Sequence, residues 1–308
     1  MFEEVARNPA IRSSRLRWLA TADSPSAGWE RGFYTKALFR LNEPQRREIL
    51  RICSAGDETE VEAVIHELIA HELLWRLLLK PVWHPRVGKQ TPDLAFRSGE
   101  QQFIGDCVVV HSPQRTVAER PDGTGSAYDG SEPGESRSHK VYVILEQKAS
   151  KYRATGLPLA VFVFYGDMHL LDAEVVERAL YGRTTAEAAE GETFPSVGYA
   201  PVLTGGLFLP AEDGLTRHPN LSAVVCCQWF WPHRSAPRQK RLSCTVCHHW
   251  APETPLNLSA FAPVFQISWQ AGHGGEWAPM YVGDPATVAG FEADGTLICR
   301  PYSNEAPW

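Results

Sequence analysis

Four side chains in the first half of the chain have the types and the order that metal-assisted chemistry uses: Glu67, Asp93 of Thr91-Pro92-Asp93, Asp106 and Lys148. Asp106 is the most unusual of them. It stands between Phe103-Ile104-Gly105 and Cys107-Val108-Val109-Val110, an apolar run in which a carboxylate is costly to bury unless paired or metal-bound. Asp93 precedes it by 13 positions (106 minus 93), with Ser98-Gly99-Glu100 as a turn signal between them. One tight hairpin would set both aspartates on adjacent strands, where they can converge on one hard cation, Mg²⁺ or Mn²⁺. Each residue also has a plain structural reading. Asp93 ends a turn after proline, Glu67 is a charged flank of its helix, and Lys148 snorkels along a helix surface.

Two other histidine and cysteine patterns imitate metal sites. In His66-Glu67-Leu68-Ile69-Ala70-His71 the histidines are five apart rather than four, which turns them about 140° from each other on a helix at about 100° per residue. They cannot share one zinc as the true protease motif does. Cys244-Thr245-Val246-Cys247-His248-His249 is half a zinc site, for which Cys226, Cys227 or His233 would have to complete four ligands. Alternation over 242–250 fits a zinc-free strand, with Cys244 and His248 on one face and Cys247 and His249 on the other. Basic residues gather at Lys140, Lys148, Lys151 and Arg153, and again at Arg234, Arg238, Lys240 and Arg241, where a turn could contact phosphates.

The elements that must position these residues follow from periodicity. Residues 1–56 read as short helices. Residues 57–79 form the longest helical pattern, with Asp57 or Thr59 as cap, Val61, Ile65, Leu68, Ile69, Leu73 and Leu77 at helical spacing, and Pro81 as terminator. Extended segments follow at 82–85 and 93–96, then the Ser98-Gly99-Glu100 hairpin and a returning strand over 102–111. Residues 112–138, rich in Ser, Pro, Gly and charge, read as a mobile loop. A helix over 138–153, a buried strand over 158–164 and a helix over 172–181 come next. Beyond them the chain turns β-rich, with strands at 221–231, 241–250 and 263–269 and tryptophans that read as the aromatic core of a β layer. The organisation is a helical segment (1–56), an α/β core (57–182) and a β-rich region (183–308).

With Glu67, Pro92-Asp93, Asp106 and Lys148 on that order of helix, strand, hairpin, strand, helix and strand, the stretch from about Glu60 to Phe164 resembles the PD-(D/E)XK nuclease superfamily. The resemblance implies a restriction-endonuclease-like mixed sheet flanked by helices. It implies Asp93, Asp106 and Glu67 as ligands of Mg²⁺ or Mn²⁺, which would stabilise charge on a scissile phosphate and activate water. It also implies a catalytic lysine two residues after the second acid, where Asp106-Cys107-Val108 carries valine. In some members that lysine is displaced onto the next helix, and Glu146-Gln147-Lys148-Ala149-Ser150-Lys151-Tyr152 resembles this arrangement, with Lys148 able to stabilise developing charge. The implied activity is hydrolysis of nucleic acid, DNA more than RNA, in restriction, repair or defence. The alternative is a catalytically inactive relative that binds nucleic acid or protein.

Composition bounds these readings. A chain of 308 residues, 44% hydrophobic and 21% charged, can bury a sizeable core. No apolar run reaches the roughly 18 residues of a membrane span, and the acidic N-terminus lacks the order of a signal peptide, so a soluble cytoplasmic protein with no membrane partner is expected. Seven cysteines, an odd count, argue against a disulfide framework. A net charge of -6 excludes nucleic-acid binding over the whole surface and confines it to local patches.

Overall fold

The computed structural model describes residues 11–110, 134–165, 173–185, 202–204, 206–209, 216–230, 241–262, 264–271, 277–283, 287–291 and 297–301. Three helices open it: α1 (Ser14–Thr21), α2 (Pro25–Phe39) and α3 (Glu43–Ala55). Ser13, Ser24 and Asn42 cap them, each accepting a backbone N–H of the first turn. The long helix α4 (Glu58–Arg76) begins in a capping box: Asp57 accepts from the Glu60 N–H at 3.0 Å, and Glu60 accepts from the Asp57 N–H at 3.1 Å. It ends a turn before the expected stop at Pro81. Leu78 and Lys80 take positive φ (60° and 47°), so the chain leaves the helical path ahead of the proline. Glu72, 1% exposed, is bonded by the guanidinium groups of Arg76 in its own helix and of Arg40, which ties α4 to the end of α2.

The strands that follow build one mixed sheet. They are β1 (Val82–Trp83), β2 (Leu94–Ser98) and β3 (Gln101–Val110), then, after α5 (Gly134–Tyr152), β4 (Leu159–Tyr165). After α6 (Ala173–Tyr181) comes a separate small ribbon, β5 (Arg183–Thr185) with β6 (Val202–Thr204). The main sheet resumes with β7 (Leu221–Phe230), β8 (Arg241–His248), β9 (Phe265–Ala271), β10 (Trp277–Val282), β11 (Thr287–Phe291) and β12 (Leu297–Pro301). β2 and β3 form the expected hairpin, turning at Gly99, whose φ of 63° suits glycine. β3 to β4 and β4 to β7 run parallel, as crossovers through helices require, and β8 is antiparallel to β7. At β8 the sheet divides, because β9 pairs with Thr245–His248 while β11 pairs with Arg241 and Leu242. Strands β7 to β12 thus extend the sheet begun by β1 to β4. The architecture is mixed α/β, with helices on both faces of a sheet of ten described strands.

The alternation of β3 sorts its side chains between two cores. Phe103 belongs to the core under α1–α4, with Leu94, Phe96, Phe162 and the apolar face of α4. Ile104, Val108 and Val110 belong to the opposite core, with Val141, Leu145, Ala149 and Tyr152 of α5 and Val176 and Leu180 of α6. Gly105 allows β2, β3 and β4 to close together, since a Cβ there would lie 3.2 Å from both Leu94 Cβ and the Phe162 ring.

The loop expected over 112–138 lies outside the described residues up to 133, and α5 begins at Gly134, before the Ser138 expected for it. The basic turn of Arg234, Arg238 and Lys240 lies outside them too, as do His233 and Trp231. No described helix is long and apolar enough to cross a membrane.

Candidate metal centre and paired acids at the sheet end

Asp93 is the residue before β2. The pairing Leu94↔Gly105 continued by one step sets it across from Asp106. Instead of extending the ladder with its backbone, Asp93 turns its carboxylate to the returning strand, where Oδ2 accepts the Cys107 N–H at 2.7 Å. Asp93 O accepts the His84 N–H at 2.9 Å, which fastens the turn after β1 to the start of β2. His84 adopts φ 43°, its ring stacks on Trp83 with centroids 4.9 Å apart, and its Nε2 meets Glu67 Oε2 at 2.9 Å.

Helix α4 packs on β2 and β3, and this brings Glu67 to the strand end. The result is a three-residue group: ligand atoms of Glu67, His84 and Asp93 all lie within 4.8 Å of one another. Two carboxylates and one imidazole nitrogen at that spacing form a donor set that a divalent ion could bridge. Burial, the Asp106 carboxylate and the Glu67 carboxylate together push the Asp93 carboxyl up to about 7. Burial opposes a charged His84 imidazole, but Glu67, with Asp93 and Glu48, holds its pKa above the ordinary value.

Asp106 has a different set of partners. Alternation gives it the face of β3 opposite to α4, where α5 packs. It is fully buried. Tyr152 donates its hydroxyl to Oδ1 at 2.5 Å, the Lys148 ammonium contacts Oδ2, and Lys151 Nζ is 3.9 Å from Oδ1 while lying over the Tyr152 ring. Burial and the Asp106 hydrogen bond drive the Tyr152 hydroxyl well above its usual range. Burial opposes the charge on Lys148, but Asp106 more than compensates, and its pKa is raised.

The structure thus places all four sequence-derived residues at one end of the β2–β3 hairpin but divides them into two adjoining sets. Glu67 and Asp93 meet each other. Asp106, expected to share their ion, meets Lys148 instead, because one-residue alternation on β3 turns it to the other helix. Sequence reasoning missed His84 and Tyr152. Tyr152 had a signal, helical spacing from Lys148 and a place beside the apolar face. His84 had none, since it reaches the site only through its left-handed backbone and its bond to Asp93.

The two imitation motifs part as spacing requires. His66 bonds Glu62 O and packs on Phe164, whereas His71 packs between Trp75 and Trp83. Cys244 faces the first core, 3.7 Å from Cys227 Sγ, and Cys247 faces the second, so these two cysteines cannot share an ion. Comparison with models of known families, with curated proteins and with solved structures finds no match to this chain.

Proposed function

We propose that this chain is a metal-dependent hydrolase of nucleic-acid phosphodiesters, DNA more than RNA, built on a restriction-endonuclease-like core. The observation that carries the proposal is the group of Glu67, His84 and Asp93, with the Asp106–Lys148 pair adjoining it. Glu67, Asp93, Asp106 and Lys148 come from a helix, the start of a strand, its hairpin partner and the following helix, and lie at one sheet end in two adjoining sets, in the chain order of the resemblance. Glu67, Asp93 and His84 would hold Mg²⁺ or Mn²⁺. The donor set fits such an ion, since two carboxylates and an imidazole nitrogen lie within 4.8 Å of one another, and a cation there would offset the carboxylate repulsion that raises the Asp93 pKa. When bound, the ion would activate water and stabilise charge on the scissile phosphate. Asp93 is oriented by the Cys107 N–H, Tyr152 fixes the rotation of Asp106, and Lys148 brings a cation to the strand end in place of the lysine that Val108 cannot supply. His84, with its side chain 34% exposed, marks the open side.

A second reading, a catalytically inactive relative that binds nucleic acid or protein, is favoured by one observation: the Asp106 carboxylate is buried and engaged by Tyr152 and Lys148. Incubating the protein with plasmid and with single-stranded DNA, in Mg²⁺ or Mn²⁺, separates the two. Ion-dependent cleavage that Asp93→Ala abolishes supports the hydrolase. A folded protein that binds DNA without cutting it under either ion rejects the hydrolase in favour of the second reading.

A further inference from the structure

We propose that His84 makes the Glu67–His84–Asp93 centre a site for a first-row transition ion, Mn²⁺ or a later one, in preference to Mg²⁺. The inference rests on the metal-holding part of the reading above and not on its substrate.

The donor set itself points this way. Magnesium demands oxygen ligands in near-octahedral order and gives up its waters reluctantly, whereas transition ions accept imidazole nitrogen readily. A centre of Glu67 and Asp93 alone would be a magnesium-type carboxylate pair. The third atom within 4.8 Å is an imidazole nitrogen, and it is held there from several directions. The backbone of His84 is in the left-handed region at φ 43°, uncommon for a residue with a side chain. Its N–H is bonded to Asp93 O, so histidine and aspartate are fixed to each other. Its ring lies on Trp83, whose carbonyl in turn accepts from Gln45 Nε2 at 3.3 Å on α3. A histidine serving only as a surface partner of Glu67 needs none of this restraint.

Charge agrees. With their protons released on coordination, two carboxylates and a neutral imidazole would offer two negative charges to a divalent ion. The Lys148 ammonium is engaged by Asp106 and also favours an ionised Asp93, so it offsets only part of that charge. With its side chain 34% exposed against 12% for Glu67, His84 lies on the outer side of the group, where further ligands would be waters or substrate oxygens.

The test uses the full chain and the metals alone. Mn²⁺ binding is followed by electron paramagnetic resonance, and Mg²⁺ by competition, for wild type, His84→Ala, His84→Gln and Asp93→Asn, each checked for unchanged helix and strand content. Bound Mn²⁺ in the wild type should show hyperfine coupling to an imidazole nitrogen, absent in both His84 variants. His84→Ala should weaken Mn²⁺ by about tenfold or more, the range seen even for groups that only support a ligand, and Mg²⁺ far less. Binding of Mn²⁺ that shows no nitrogen coupling, or an equal loss for both ions in His84→Ala, overturns the inference while leaving the centre standing. Binding that survives Asp93→Asn, or no binding by wild type, overturns the centre and the inference together.

Discussion

Replacing Asp93 by asparagine should stabilise the metal-free protein at alkaline pH while removing its response to metal. Asp93 Oδ2 accepts one backbone N–H, which an asparagine oxygen can also do, yet its carboxyl is pushed from 3.8 to about 7 by burial and by two neighbouring carboxylates. A raised carboxyl pKa contributes stability that is complete below the unfolded value and is lost as pH rises through the folded one. In the metal-free wild type the Asp93 contribution should therefore be lost between about pH 4 and pH 7. At 1.36 kcal/mol for each tenfold change in proton affinity, the full loss is on the order of 4 kcal/mol. That shift already includes the charged hydrogen bond from Cys107, so Asp93→Asn, neutral at every pH, should gain up to about the same amount near pH 8. Urea unfolding with a chelator present, at about pH 4.5 and about pH 8, measures this. The variant should match wild type at the lower pH and exceed it at the higher. Adding Mn²⁺ at a hundred times its Kd should then raise wild type by about 2.7 kcal/mol and the variant hardly at all. A variant no more stable than wild type at pH 8, or a difference that does not change with pH, would refute the placement of Asp93 among Glu67 and Asp106.

Lys148→Met should abolish cleavage and also destabilise the protein by about 3 kcal/mol or somewhat less, because it leaves Asp106 buried with only Tyr152 and the more distant Lys151. Adding Asp106→Asn should recover most of the stability without activity, as denaturation of the single and double variants will show. Tyr152→Phe should cost about 1–3 kcal/mol through the lost donor to Asp106 Oδ1, with a larger loss in kcat than in KM if Tyr152 orients the acid for the reaction. Burial lowers the imidazole pKa of both His71 and His249 to about 4, a depressed base whose stability is complete above about 6.5 and is lost as pH falls. These two histidines therefore oppose the Asp93 contribution between pH 6.5 and 4, and His71→Gln, at some cost at neutral pH, should lose less melting temperature than wild type on acidification over that range.

Sequence alone determined the features that depend on near neighbours. Capping at Asp57, the helical spacing of Val61 to Leu73, the turn at Gly99 and the buried strand residues 159–164 are legible because each is decided within one or two turns of chain. The proximity of Asp93 to Asp106 was legible too, since a hairpin links residues at a countable distance. What alternation could not decide without the helices is which acid meets which partner. Asp106 and Cys107 point to opposite cores, and only the packing of α4 on one face and α5 on the other sends Glu67 to Asp93 and Lys148 to Asp106. His84 depends on tertiary structure entirely: nothing near it in sequence foretells a left-handed residue whose amide is tied to Asp93, and that long-range bond is what carries its imidazole to the acids.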